Sequence, residues 1–244
     1  MDWNMENKKS FLNLSSVDIL PNFSVRIPTV GEILENERAY YSIVSSLTAS
    51  PFQYMVQLDD LEIDYTDITD YELFKMLFLE YIKSDLTILF GDIDMSDFDI
   101  YVTKKDNKEI LYSQRNNIVI DELVYNDLVD TIRKINLYEK IKSKPGNESA
   151  RKYLLEKERR KQKRNAKKAY EPYLEKLVIA LVNTSEFPYD YNSCMDLSIY
   201  RFNQSFKQIQ QKITFDNTMI GVYAGTVDTS KLSNKDALSW IANK

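Results

Sequence analysis

Residues 69–82 read TDYELFKMLFLEYI, and this stretch carries the clearest secondary-structure signal in the chain. Thr69 precedes Glu72 by three positions, the spacing at which two such residues cap a helix N-terminus reciprocally. Large apolar residues then recur every three or four positions: Leu73, Phe74, Leu77, Phe78, Tyr81 and Ile82. That spacing places them on one face of a helix. The stretch therefore predicts an amphipathic helix whose apolar face packs in the main core.

The pattern changes to short apolar runs downstream of this helix. The runs are residues 86–90, 98–102, 110–112 and 118–120, with turn-forming residues between them. Runs of this length are typical of strands, so we expect a small antiparallel sheet. A further helix is predicted from about Asp121. Its buried stripe is expected to comprise Leu123, Val124, Leu128, Ile132 and Ile135.

Two more helix starts lie upstream. Thr29 and Glu32 repeat the reciprocal capping spacing and predict a helix that runs to about Leu47. Ser50 followed by Pro51 places a capping residue before a proline at the first helical position, which predicts a second, shorter helix.

The C-terminal part is expected to be helical throughout. Pro145, Gly146 and Asn147 mark a break, and a helix-prone stretch follows over residues 149–170. The last helical stripe comprises Ile199, Phe202, Phe206, Ile209 and Ile213. We expect a mixed α+β domain over residues 1–144 and a helical region over residues 145–244, or one continuous domain that includes both.

Charge divides the chain into an acidic and a basic half. Residues 59–99 contain thirteen carboxylates against two lysines, whereas residues 133–168 contain fifteen Lys or Arg against four Glu. The stretch from residue 156 to 168 has no large apolar residue, so a helix there cannot bury a face and is expected to protrude. The fold class expected is therefore α+β and predominantly helical, with a small sheet in the N-terminal part and a protruding basic helix in the C-terminal part.

The basic run supplies the candidate partner-binding residues. They are Lys157, Arg159, Arg160, Lys161, Lys163, Arg164, Lys167 and Lys168. Three interpretations stay open: a solvated connector, a surface for an acidic protein, and a nucleic-acid interface. Nucleic acid ranks last because the net charge is −5 and no aromatic residue interrupts the run to stack on bases.

Composition argues against several enzyme classes. The chain has no histidine, which removes the commonest metal ligand and the usual acid-base residue, and its single cysteine is Cys194. The Asp92–Asp97 stretch begins like a calcium loop, but it lacks the glycine at position six and the glutamate at position twelve. We expect no enzymatic activity, no cofactor and no metal.

Residues 1–10 lack the apolar core of a signal peptide, and no run is long enough for a membrane span, so a cytoplasmic location is expected.

Seven segments together carry a family resemblance. They are IPTVGEI at 27–33, YYSIVSSLTASP at 40–51, DYTDITDYELF at 64–74, LFGD at 89–92, PGNESAR at 145–151, LSIYRFNQSFKQI at 197–209, and the tail at 221–240. In this order and spacing the chain resembles a group of tailed-bacteriophage proteins that look like tail assembly chaperones.

The resemblance implies a helper protein in the host cell cytoplasm. Such a protein keeps the long tape measure protein soluble and helps the tail tube polymerise around it, so its expected partners are the tape measure and tail tube proteins. Self-association into a homo-oligomer stays open. The alternatives are a structural virion protein of the neck or baseplate, and a nucleic-acid-binding regulator that uses the basic helix.

Overall fold

The computed structural model describes residues 10–104, 107–141 and 145–242, and within them the fold is α+β and mostly helical. The helices are α1 Val30–Glu35, α2 Glu37–Leu47, α3 Met55–Asp60, α4 Asp70–Met76, α5 Phe78–Ile82, α6 Thr87–Phe90, α7 Glu122–Asn136, α8 Glu148–Asn165, α9 Leu174–Val182, α10 Tyr191–Met195 and α11 Ile199–Tyr223. The strands are β1 Ser16–Leu20, β2 Phe23–Arg26, β3 Phe98–Val102, β4 Glu109–Ser113 and β5 Ile118–Ile120.

The helix predicted from Thr69 forms with its cap but is divided in two. Thr69 accepts from the backbone N–H of Glu72, and the Glu72 carboxylate accepts from the N–H of Thr69. Helix α4 ends at Met76 and α5 begins at Phe78, with Leu77 between them. Leu77 is half-buried and packs against two clusters of buried apolar residues, the main core and a smaller one. Phe74 of α4 and Phe78 of α5 are both buried in the main core, so the core continues across the break.

The helix predicted from Thr29 is also divided. The capping box of Thr29 and Glu32 is present, but Asn36 leaves helical geometry and its side chain caps a new helix through the N–H of Ala39. A polar residue that competes for backbone hydrogen bonds explains this local restart.

The predicted small antiparallel sheet is confirmed for three of its four runs, and its order is β3-β4-β5. The prediction of a strand over residues 86–90 is wrong, because residues 87–90 of this run form α6. Asp85 accepts from the backbone N–H of Thr87, the first residue of this helix, at 3.0 Å, and α6 packs against β2. Apolar runs this short do not distinguish a strand from a buried helix turn by periodicity. The hairpin of β1 and β2 was not predicted at all.

The main core takes residues from both the N-terminal and the C-terminal parts of the chain. Val30 N donates to the Leu197 carbonyl and Ile199 N donates to the Pro28 carbonyl, both at 2.8 Å. These bonds attach the start of α11 to the start of α1. The predicted division near residue 145 stays a prediction, and its linker residues 142–144 lie outside the described part of the chain.

Two of the predicted stripes need correction at one end. In α7 the stripe residues Leu128, Ile132 and Ile135 are fully buried, but Leu123 is 75% exposed. Leu123 lies in the first turn, before the helix enters the core. In α11 the residues Ile199, Phe202 and Ile209 are buried, whereas Ile213 is 42% exposed because the helix has left the core by that point.

Candidate protein-binding surface

The basic run forms the second half of helix α8. Asn147 caps the helix by accepting from the backbone N–H of Ala150 at 2.8 Å. The helix ends at Asn165, shorter than the predicted range of 149–170, and none of its residues is buried. Lys167 and Lys168 follow its C-terminal end.

One face of α8 nevertheless rests on the rest of the molecule. The half-buried positions recur at three- and four-residue spacing: Arg151, Leu154, Leu155, Glu158, Arg159 and Gln162. Leu154 and Leu155 pack against a second, smaller hydrophobic cluster. Its buried members are Ala49, Met55, Val56, Leu58, Tyr65 and Leu73. The helix thus protrudes only beyond Gln162.

Ion pairs hold this docked face on the acidic half of the chain. Arg151 Nη1 lies 2.6 Å from Asp64 Oδ2. Arg159 Nη2 lies 2.7 Å from Asp59 Oδ2 and 2.6 Å from Asp60 Oδ1. The backbone N–H of Thr66 and, secondarily, the Arg151 guanidinium hold the pKa of Asp64 below its ordinary value. Part of the basic helix therefore has its acidic partner within the same chain, at the C-terminal end of α3 and just after it.

The eight predicted residues separate into three groups. Arg159 belongs to the docked face, and Arg160 and Lys161 pair within the helix with Glu156 at 2.9 Å and Glu158 at 3.3 Å. The other five are exposed and make no ion pair with any described residue. We call them the free basic surface: Lys157, Lys163, Arg164, Lys167 and Lys168.

The chain beyond the free basic surface is anchored by Glu37 of α2. Its Oε1 accepts from the Tyr170 hydroxyl at 3.1 Å and from the backbone N–H groups of Tyr173 at 2.7 Å and Leu174 at 3.0 Å. A buried carboxylate thus caps the N-terminus of α9, where the helix dipole favours negative charge. Sequence reasoning missed Glu37, because nothing in the local pattern indicates a partner more than 130 positions away.

A second surface was also missed. Within the described chain, no residue after Ile209 is buried. We call residues 210–242 the C-terminal arm. It comprises the end of α11 and the residues after it, which fold back along α11. Gln208 donates to the Trp240 carbonyl at 2.7 Å and Gln211 donates to the Asp236 carbonyl at 2.6 Å. The exposed apolar residues of the arm are Ile213, Ile220, Tyr223, Trp240 and Ile241.

Other candidate sites have structural roles. In the acidic turn that begins like a calcium loop, Asp94 accepts from the N–H of Ser96 at 2.8 Å and Asp97 pairs with Arg115 at 3.2 Å. The described residues contain no group of three or more side chains suited to a metal ion. Burial raises the pKa of the Cys194 thiol. No helix in the described ranges is both long and apolar enough to cross a membrane.

Part of the chain is similar to a known protein family. The family model described as the YomV second domain matches residues 161–243, which include the end of α8, helices α9 to α11 and all of the C-terminal arm. The match points to a phage-derived family like that of the Bacillus phage SPbeta. Neither the curated proteins nor the solved structures gave a match.

Proposed function

We propose that this protein is a non-enzymatic factor in bacteriophage tail morphogenesis, a tail assembly chaperone that binds the tape measure and tail tube proteins. The observation that carries the proposal is the free basic surface. It comprises five exposed cations that have no ion pair among the described residues: three lie in α8, which is docked through its other face, and two follow its C-terminal end. The similarity of residues 161–243 to a phage-associated family supports a role in the phage life cycle.

The charge of this surface favours an acidic protein segment as its ligand. Cations on one exposed helix end raise the local potential and speed the encounter with an acidic partner. The pairs of Arg151 and Arg159 with Asp59, Asp60 and Asp64 are an intramolecular example of the same chemistry.

The C-terminal arm supplies the apolar part of the proposed binding surface. Ile220 and Tyr223 are 66% and 83% exposed, on the same helix as the less exposed Ile213. Exposed apolar residues in a row along a helix are typical of surfaces that bind the apolar face of another helix. A chaperone for a long helical protein needs such a surface to cover apolar stretches before assembly.

The test is a pull-down from cells that assemble phage particles. The double variant Lys163→Glu, Arg164→Glu reverses two residues of the free basic surface without touching Arg159. Its control is Lys83→Glu, Lys108→Glu, which makes the same charge change at exposed lysines elsewhere. Wild type and control should retain the tape measure protein, whereas the test variant should lose it, and wild-type binding should weaken as salt rises. Full retention by the test variant would contradict the proposal.

Purified particles distinguish the proposal from its alternatives. A chaperone is expected to be absent from mature virions by mass spectrometry, while a neck or baseplate protein would be present. A salt-dependent shift of DNA by the pure protein would instead favour the nucleic-acid-binding regulator.

A further inference from the structure

Strand β3 is an outer edge of the three-stranded sheet: among the described residues it pairs with β4 on one side and with no strand on the other. Its last three residues are apolar and exposed: Ile100 is 49% exposed, Tyr101 44% and Val102 58%. Their side chains alternate between the two faces, so the strand exposes apolar groups on both. Natural proteins usually protect such edges with charges, prolines or bulges, because an open edge pairs readily with another strand. Asp99 is the only charged residue of β3.

The backbone direction along this edge follows from the end of the strand. Thr103 N donates to the Lys108 carbonyl at 2.8 Å, in the register in which Tyr101 pairs with Ile110 and Asp99 with Tyr112. Because backbone groups alternate in direction along a strand, the odd-numbered residues point toward β4. The N–H and C=O groups of Ile100 and Val102 and the C=O group of Phe98 therefore point toward the open edge, whereas the Phe98 N–H donates to the Met95 carbonyl.

We propose that β3 pairs antiparallel with β3 of a second copy of this chain, about a two-fold axis at Ile100. Ile100 of one copy then lies opposite Ile100 of the other, and Phe98 lies opposite Val102. The Ile100 pair exchanges two hydrogen bonds, and in each Phe98–Val102 pair the Val102 N–H donates to the Phe98 carbonyl. The two sheets become one continuous six-stranded sheet, and the interface is isologous.

The charge of Asp99 and the length of the strand overlap favour this register over the two neighbouring ones. It places Asp99 of one copy opposite Tyr101 of the other, so the one charged residue of the strand does not meet its own copy. A shift of two residues in one direction would place Asp99 opposite Asp99, which is destabilising. The opposite shift would move Phe98 out of the five-residue overlap. The register about Ile100 alone pairs the whole strand without a like-charge contact.

The predicted dimer is weak and concentration-dependent. One pair of five-residue strands buries less surface than the roughly 1,600 Å² of a standard stable interface. Self-association is therefore expected to rise over the concentration range accessible to sedimentation equilibrium.

The first test uses charge at the two-fold axis. Ile100→Lys places two like charges opposite each other and should weaken dimerisation by about tenfold or more. Ile179→Lys is the matched control, because Ile179 on α9 is 48% exposed and far from the strand in sequence. Mixing I100K with I100E chains should restore dimers. Circular dichroism melting of each variant checks that it is folded.

The second test reports the register and does not depend on those variants. Ile100→Cys should cross-link to itself under a mild added oxidant, because hydrogen-bonded pairs have Cα atoms about 5.5 Å apart, within disulfide range. Val102→Cys should not, because four residues of offset separate the two Cα atoms by about 13 Å. The native thiol at Cys194 is buried. A wild-type chain that stays monomeric at every concentration, or an I100K variant that dimerises like wild type, would overturn the proposal. So would equal cross-linking of both cysteine variants.

Discussion

The guanidinium of Arg159 donates a 2.7 Å hydrogen bond to the carboxylate of Asp59, one hundred positions earlier in the chain. This bond joins the basic half of the sequence to the acidic half. It also distinguishes Arg159 from its neighbour Arg160, whose ion pair among the described residues is with Glu156, one turn away on the same helix. The sequence treats the two arginines as equivalent, and the structure gives them different roles.

The first prediction follows from that difference. Arg159→Ala should release the second half of α8 from α3 and increase amide exchange over residues 159–165 by about two- to fivefold. Arg160→Ala removes only a contact within the helix and should leave that exchange close to wild type. Hydrogen exchange read by mass spectrometry measures both. Equal exchange in the two variants would mean that the pairs with Asp59 and Asp60 do not hold the helix.

A second prediction compares two buried tyrosine hydroxyls. The Tyr40 hydroxyl donates to Asn136 Oδ1 at 2.8 Å in the core, so Tyr40→Phe leaves a buried carbonyl without its donor. We expect a loss of about 1–3 kcal/mol in the free energy of unfolding. The Tyr65 hydroxyl is buried and has no hydrogen-bond partner among the described residues. Tyr65→Phe should therefore be neutral or stabilising. Urea unfolding of the two variants tests the contrast, which fails if Tyr65→Phe costs as much as Tyr40→Phe.

The third prediction concerns the break between α4 and α5. Leu73 is 2% exposed, so Leu73→Ala should cost about 2–5 kcal/mol. Leu77 was predicted from the sequence to be a core residue of the same stripe, but it is half-buried. Leu77→Ala should cost less, about 1–2 kcal/mol, because less apolar surface is lost from the interior. Chemical denaturation decides the order, and a larger loss at Leu77 would be inconsistent with the structure.

The fourth prediction is a pH dependence at Asp64. The pKa of this carboxyl lies below its ordinary value of 3.8, first because of the Thr66 backbone N–H and then through Arg151. A carboxyl with a lowered folded-state pKa stabilises the protein fully above its unfolded pKa of about 3.9, and loses that effect as pH falls through the folded pKa. Asp64→Asn should therefore flatten the stability curve below about pH 4.

Arg151→Gln is the comparison for that experiment. It keeps the bonds from Thr66 to Asp64 and removes only the guanidinium. It should therefore retain most of the wild-type pH dependence. If Arg151→Gln flattens the curve as much as Asp64→Asn, the ion pair and not the turn controls this titration.

Much of the site on α8 followed from composition alone. A run without large apolar residues cannot enter a core, and seven of its eight predicted residues are exposed. Which of them are free could not be predicted, because that depends on which carboxylates the fold brings near. The docked face of α8, with Leu154, Leu155 and Arg159, forms only because α3 packs against it.

The sequence by itself determined the features that depend on residues a few positions apart. The capping boxes at Thr29 and Thr69 and the three strands between Phe98 and Ile120 formed as predicted, since their signals are local hydrogen bonds and side-chain periodicity. Only the tertiary structure decided the break at Leu77, the helical state of residues 87–90, the exposure of Ile213 and the cap that Glu37 provides to α9. Each of these depends on groups that are distant in sequence and come into contact only when the chain is packed. The pattern of neighbouring residues carries no information about those long-range contacts.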